Sequence, residues 1–407
     1  MLINTIDAPM GAGKTTGAIN MIKTGGKKMR YIYVTPYLSE IDRVKNELRD
    51  FRFCEPDGMV YGTKKLAFDH LVRHNRNIVT THALFDDYLD AASFDGIAQR
   101  DYTLIMDEVS TPVTPLQIYQ GDVKFLKSLT AVDDQGFVSW TADTYVDTGG
   151  KFSAEKKMIE AGNVVRMNDY NYVAIAPVRH FSAFKAVYLM TYMFDCQIQK
   201  YYFDLCGSEY RKLYVRKAPN GAYSITDVPT DYGDILPPRE LLRVYEGKYN
   251  DIGDERFSLS KNWYIRNEES GARRVGNNCR SFFRKVGAES DDAIWTTYHE
   301  YQAAAAPHGY RKGFLPCNMR ATNKYRMRTA VAYPINIFPH VSVKAFFAAR
   351  GITVDDDKYA LSEMLQFIWR SAVRDGKPVD VYVPSSRMRG LLKEYLEGGG
   401  SDINTGM

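Results

Sequence analysis

The sequence predicts an α/β fold carried on two tandem sets of parallel strands flanked by helices, and three observations predict it. The strand-like stretch 2–7 runs into a loop of small residues and then into a helix-compatible segment, 16–23. A second apolar stretch, 102–106, ends in the acid pair Asp107-Glu108, as buried parallel strands do at the working edge of an α/β sheet. The second half repeats the alternation, with strand-like stretches at 294–297, 328–333 and 379–383 and a helical one at 362–373.

The intervening elements follow in order. Residues 31–35 read as a strand and 39–51 as a helix, because Ile41, Val44, Leu48 and Phe51 recur at helical spacing behind Ser39, a candidate N-cap. A short strand is expected near 59–61, a helix at 64–74, a strand at 77–81 and a helix at 82–91. Residues 112–170 are polar at 133–136 and broken by Gly149 and Gly150; they read as helices with an inserted hairpin or loop. The apolar run 186–194 is a strand, followed by a helix to about 205 and a strand at 210–215. Pro219, Pro229, Pro237 and Pro238 mark 216–240 as a connection. The expected organisation is therefore a first domain at 1–215 carrying the insertion, a second at 241–397, and a flexible tail at 398–407.

At 407 residues and 45% apolar composition the chain can fill more than one core. Its net charge of +4 permits a polyanionic partner without arguing for one, so that partner has to be read from motifs. The five cysteines are odd in number and lack metal-type spacing, which suggests reduced thiols in an intracellular protein. No stretch approaches the roughly 18 apolar residues of a membrane span, and no leader is expected before the first strand. The expected location is the cytoplasm, without a membrane partner.

The loop Ala8-Pro9-Met10-Gly11-Ala12-Gly13-Lys14-Thr15 has the strand–loop–helix setting of a phosphate-binding loop, with Ala8 where the strict pattern has glycine. Its small residues let successive N–H groups turn onto phosphate oxygens, with a helix N-terminus behind them. Gly11, Ala12, Gly13, Lys14, Thr15 and Thr16 are thus candidate nucleotide-binding residues. Lys14 suits the β- and γ-phosphates, and the Thr15 hydroxyl suits Mg²⁺. Asp107 is the second candidate Mg²⁺ ligand, and Glu108 the residue that orients or deprotonates attacking water. A Gly-Lys-Thr can open an ordinary helix, and an acid pair can end an ordinary strand. Both in this order point instead to Mg²⁺-dependent hydrolysis of a nucleoside triphosphate, with ATP and Mg²⁺ the expected cofactors. Two RecA-like P-loop NTPase domains, with the ATP cleft between them, are the fold this pattern implies.

Further motifs narrow the reading. Val34-Thr35-Pro36-Tyr37 and Val79-Thr80-Thr81-His82 are strand ends where hydroxyls and N–H groups could meet a sugar–phosphate backbone. Leu189-Met190-Thr191-Tyr192-Met193-Phe194, Arg320-Ala321-Thr322-Asn323-Lys324-Tyr325 and the run from Gln366 to Arg374 follow. In this order the set resembles the superfamily 2 (DEAD/DEAH-like) helicases over almost the whole chain. The resemblance implies nucleic-acid contacts at Thr35, Pro36, Thr80, Thr81, Thr322 and Lys324. It implies a coupling hydroxyl at Thr191, with Trp140-Thr141-Ala142-Asp143-Thr144 as the competing segment. It also implies an arginine-finger helix bearing Gln366, with either Arg370 or Arg374 as the finger.

Within that superfamily the chain is most similar to bacteriophage-encoded replication helicases, on its Pro-Met-Gly loop, Asp-Glu-Val-Ser, Leu-Ser-Lys-Asn-Trp-Tyr (259–264), Arg-Ala-Thr-Asn and Gln-Phe-Ile-Trp-Arg-Ser. Viral origin-binding helicases share the first two more faintly. The acid box is not Asp-Glu-Ala-Asp and no adenine-recognition segment is seen upstream, so a DEAD-box RNA chaperone is disfavoured and base specificity stays open. The implied activity is ATP-driven translocation on single-stranded or forked DNA, with RNA as the other track and replication proteins as partners. The rival readings are an ATP-gated clamp or origin-binding factor without unwinding, and a protein-directed P-loop motor.

Overall fold

The computed structural model describes residues 1–87, 89–142, 152–232, 239–317 and 324–398. The chain divides into two compact units. One comprises Met1–Ile6, Ala18–Leu213 and Pro339–Val354; the other comprises Asp7–Gly17, Tyr214–Phe338 and Asp355–Met407. The architecture is α/β, built on parallel sheets.

In the first half, β1 (Leu2–Asp7), β2 (Arg30–Thr35), β3 (Ile78–Thr81) and β4 (Tyr102–Asp107) alternate with helices. An insertion carries β5 (Val113–Leu116), β6 (Thr130–Val132), β7 (Val138–Trp140), β8 (Val164–Arg166) and β9 (Tyr172–Ile175). Then come β10 (Ala186–Thr191), β11 (Glu209–Lys217) and β12 (Tyr223–Thr226). The main sheet runs β12-β11-β1-β10-β4-β2-β3. Every residue of β4 is buried, as are five of six in β1 and β2, which is why β2 and β4 read as largely apolar runs, while β1 buries the polar Asn4, Thr5 and Asp7 as well. Parallel register sets Thr35 beside Thr81, Val34 beside Met106 and Met190 beside Asp107. The C-terminal ends of β3, β2, β4 and β10 therefore line one edge.

The insertion builds a small antiparallel sheet, β5-β9-β8, and a β6–β7 hairpin. They close over a core that includes Leu126, Phe152, Ile159 and Tyr172. A late segment of the chain packs on the same unit: Phe347 of the helix Val341–Ala348 meets Tyr201 at 5.8 Å, and Arg350 Nη2 donates to the Gln135 carbonyl at 3.2 Å.

The second unit has its own parallel sheet, β13 (Leu242–Val244), β14 (Ala293–Trp295), β15 (Ala330–Ala332) and β16 (Val379–Tyr382), ordered β13-β16-β15-β14. The helical span Lys261–Lys285, kinked at Glu268 (φ 49°), starts at Ser260, whose side chain accepts from the Trp263 amide, and buries Tyr264, Val275, Phe282 and Phe283. The buried tyrosine hydroxyl is satisfied by the Pro334 carbonyl at 2.8 Å.

Several local expectations change. Residues 59–61 are not a strand: Gly58–Tyr61 is one helical turn, begun by Asp57 accepting from the Met59 amide and ended by Gly62 at φ 85°. Ser39 is not an N-cap, because the helix is Leu38–Glu47 with Tyr37 at the cap position and no side-chain bond there; a 3₁₀ turn, Arg49–Phe51, follows. The helix expected at 362–373 is Asp356–Ile368, started by Asp355 accepting from Asp357 and Lys358 amides. A 3₁₀ turn, Ala372–Asp375, carries the rest. The tail 399–407 lies outside the described residues. Among the described residues no helix is long and apolar enough to cross a membrane.

Candidate functional site

The loop after β1 has the backbone that phosphate cradling needs. Gly11 and Gly13 sit at φ 90° and 89°, a region costly for any residue with a Cβ. The Ala12 amide donates to the Pro9 carbonyl at 3.2 Å, and the Gly17 amide donates to Gly13 at 2.8 Å as the helix Lys14–Gly25 starts. Lys14 is buried, and its ammonium donates to the loop's own carbonyls at Ala8 (2.5 Å) and Pro9 (3.2 Å). Thr15 and Thr16 follow on the first helical turn, half-buried.

Two side chains from the distant sequence reach this loop. A Cβ built on Gly11 would lie 3.8 Å from Arg374 Nε, so the guanidinium stem rests against the loop. A Cβ on Gly13 would lie 2.4 Å from two ring atoms of Tyr223, so the glycine is required by packing as well as by φ. Arg370 is 6% exposed, with Nε donating to the Gln366 carbonyl at 3.0 Å. The Gln366 amide nitrogen Nε2 is buried without a hydrogen-bond partner.

In the first unit the sheet edge gathers a polar cluster. The Tyr33 hydroxyl donates to Asp107 Oδ2 at 3.4 Å, and His82 Nε2 donates to the Asp107 backbone carbonyl at 2.8 Å. Burial, and then the Asp107 charge, push the Tyr33 hydroxyl well above its usual range, so it stays a donor. Glu108 follows at φ 69°, and the Ser110 amide is held by Gln199 Oε1 at 3.0 Å. Thr35 Oγ1, Thr191 Oγ1 and Glu108 Oε2 are all buried without hydrogen-bond partners. Orphaned buried oxygens at neighbouring strand ends mark a place that takes a polar ligand or ordered water. By type the residues fit the Mg²⁺–nucleotide chemistry expected of them: left-handed glycines and a buried ammonium in the loop of one unit, and, in the other unit, a carboxylate at the end of β4.

Of the expected nucleic-acid contacts, Thr35 and Thr80 are buried, while Pro36 and Thr81 are half-exposed at their strand ends. Thr81 Oγ1 accepts from the Leu84 amide at 3.3 Å and so caps the next helix. Thr191 ends β10, the strand beside β4. Of its competitor, Trp140 ends β7, and residues 143 and 144 lie outside the described residues. Thr322 also lies outside them; Lys324 is exposed, with its ammonium 5.9 Å from the Tyr325 ring centre.

A Bacillus subtilis (strain 168) protein, the SPbeta prophage-derived YonV, is 36% identical to this chain over 409 residues, covering 97% of this chain and 98% of the relative. The chain belongs to the YonV family. The model of the YonV C-terminal Rossmann-like domain matches residues 238–396. A solved chain titled XPD apo, 11% identical, aligns over 96% of this chain and 95% of its own with a TM-score of 0.53, which shows a shared fold. In this member of the YonV family, sequence reasoning overlooks Tyr33, His82 and Tyr223. Tyr33 sits in a strand whose residues all read as core, and Tyr223 meets the loop only through the fold. His82 had a signal, since it closes the Val-Thr-Thr-His strand end.

Proposed function

We propose that this chain is an ATP-dependent motor on nucleic acid, a helicase or translocase that works on single-stranded or forked DNA in the life of a phage. The observation that carries the reading is the loop itself. It holds two left-handed glycines and a buried lysine, and an arginine from the far end of the sequence rests against Gly11. The XPD-like fold and the prophage origin of the YonV relative agree with it.

In this proposal Gly11 to Thr16 hold the triphosphate, and Lys14 neutralises its β- and γ-oxygens. Arg374, already against Gly11, answers the charge that builds on the γ-phosphate. Glu108 orients the attacking water, steadied by the backbone that fixes it. Thr15 and Asp107 would hold Mg²⁺, which supplies positive charge to the phosphates when bound. The edge residues Pro36 and Thr81, with Thr322 and Lys324, grip the sugar–phosphate backbone, and Thr191 couples that grip to hydrolysis.

The test is steady-state ATP hydrolysis with and without single-stranded DNA or RNA, beside Lys14→Ala and Glu108→Gln. Stimulation by one polymer, lost in both variants, is expected and names the track. Hydrolysis indifferent to both polymers, or intact in Lys14→Ala, overturns the reading. A strand-displacement assay then separates a motor from a clamp.

A further inference from the structure

Between β2 and β3 the chain lifts an apolar tip to the surface. Met59, Val60 and Tyr61 of the turn Gly58–Tyr61, and Leu66 of the next helix, are 95%, 67%, 38% and 49% exposed. Apolar side chains grouped this way on a folded surface mark a contact with something else. Both flanking helical segments are capped, by Asp57 and by Thr63, so the tip is a built element of the fold.

Behind the tip three rings form a row. Tyr61 and His70 are 4.5 Å apart between ring centres, His70 and His74 are 4.0 Å apart, and each pair is tilted by 31°. Desolvation, followed by the nearby His74 and Arg73, holds the His70 imidazole at the centre of the row below its usual range, which favours its neutral form. Two exposed cations lie on the same short stretch: the Lys64 side-chain stem comes within 3.4 Å of where a Cβ on Gly58 would lie, and Arg73, whose charge helps depress the His70 imidazole, donates from Nε to the Asp69 carbonyl at 3.3 Å. The carboxylates nearby are engaged: Asp57 accepts from the Met59 amide at 2.8 Å, and Asp69 accepts from Lys65 Nζ at 2.9 Å and Ser93 Oγ at 2.6 Å.

We propose that this tip is a stacking platform for the bases of single-stranded nucleic acid, with Lys64 and Arg73 placed for its phosphates. The inference rests on the reading of the chain as a nucleic-acid motor. Flat rings in a row, apolar neighbours and nearby cations are the combination that holds single strands without regard to sequence, since every base has a π-face. A protein partner would use the exposed Met59 and Val60 and would have no need of stacked imidazoles on a stretch that also carries exposed Lys64 and Arg73.

Fluorescence anisotropy with labelled oligothymidylate and oligouridylate tests it, on wild type, Tyr61→Ala/His70→Ala and Tyr61→Phe. The double variant should bind at least about tenfold more weakly, with an unchanged unfolding temperature, and Tyr61→Phe should bind like wild type. Equal binding by wild type and the double variant overturns the platform and leaves the motor reading standing. No binding by wild type to either oligomer overturns both. Photocrosslinking of a bromouracil oligomer to the wild-type chain needs no variant: adducts at Tyr61 or His74 support the platform, and adducts confined to other segments sink it.

Discussion

The Glu108 amide donates to the Met190 carbonyl at 2.9 Å and holds Glu108 in the left-handed region at φ 69°. A glutamate there costs on the order of 1–3 kcal/mol, a strain that persists only where the surroundings impose it. One of its carboxylate oxygens is also buried without a hydrogen-bond partner. Both features cost the fold stability, as a carboxylate kept for chemistry does. Glu108→Gln should therefore lower ATP turnover by at least about a hundredfold while leaving nucleotide affinity and unfolding temperature at or above wild type. Turnover within a few-fold of wild type would remove Glu108 from the chemistry.

The Gly13–Tyr223 contact separates two reasons for a glycine. Gly13→Ala meets both the ring and a φ of 89°, and should weaken nucleotide binding by about ten- to a hundredfold on strain of this size. Adding Tyr223→Ala removes the ring but not the backbone strain, so the double variant should recover only part of the affinity. Titration with a fluorescent ATP analogue measures it. Full recovery would mean that packing alone sets this position.

How far the sequence foretold these features depends on how local each one is. Strands β2 and β4 are visible because strands buried on both faces read as short, largely apolar runs rich in β-branched and aromatic residues, too short for a buried helix. The turn at 58–61 is concealed because Met59-Val60-Tyr61 favours a strand by side chain, while Asp57 and Gly62 decide the backbone. The phosphate loop obeys a local rule and can be read. Tyr223 and Arg374 arrive at it from positions that no spacing links to Gly11 or Gly13. The Glu108 conformation runs against residue preference, so composition points away from it.

The two arginines that the sequence leaves open should behave differently. Arg374 lies against the phosphate loop, so Arg374→Ala should cut turnover by about 10³ or more with little change in unfolding temperature. Arg370 is buried against its own helix, so Arg370→Ala should lower the unfolding temperature by a few degrees, on the order expected for loss of a buried hydrogen-bonded group. Paired turnover and melting measurements decide it. A loss of turnover in Arg370→Ala without melting loss would reverse the assignment.

The first unit should also weaken in mild acid, through His180. This imidazole is 6% exposed, stacked on Phe94 at 4.2 Å and 22°, and its Nδ1 is buried without a hydrogen-bond partner. Burial lowers its pKa from 6.5 to about 4, against a smaller opposing pull from Asp86. Above pH 6.5 the ring is neutral folded or unfolded, and its contribution to stability is complete. As pH falls from there toward 4, only the unfolded chain takes up the proton, and stability drains by on the order of 3 kcal/mol. His180→Phe keeps the stacked ring and removes the titration, so urea midpoints of wild type and variant should diverge steadily below pH 6.5. Parallel curves across that window would show that His180 takes up its proton without unfolding the unit around it.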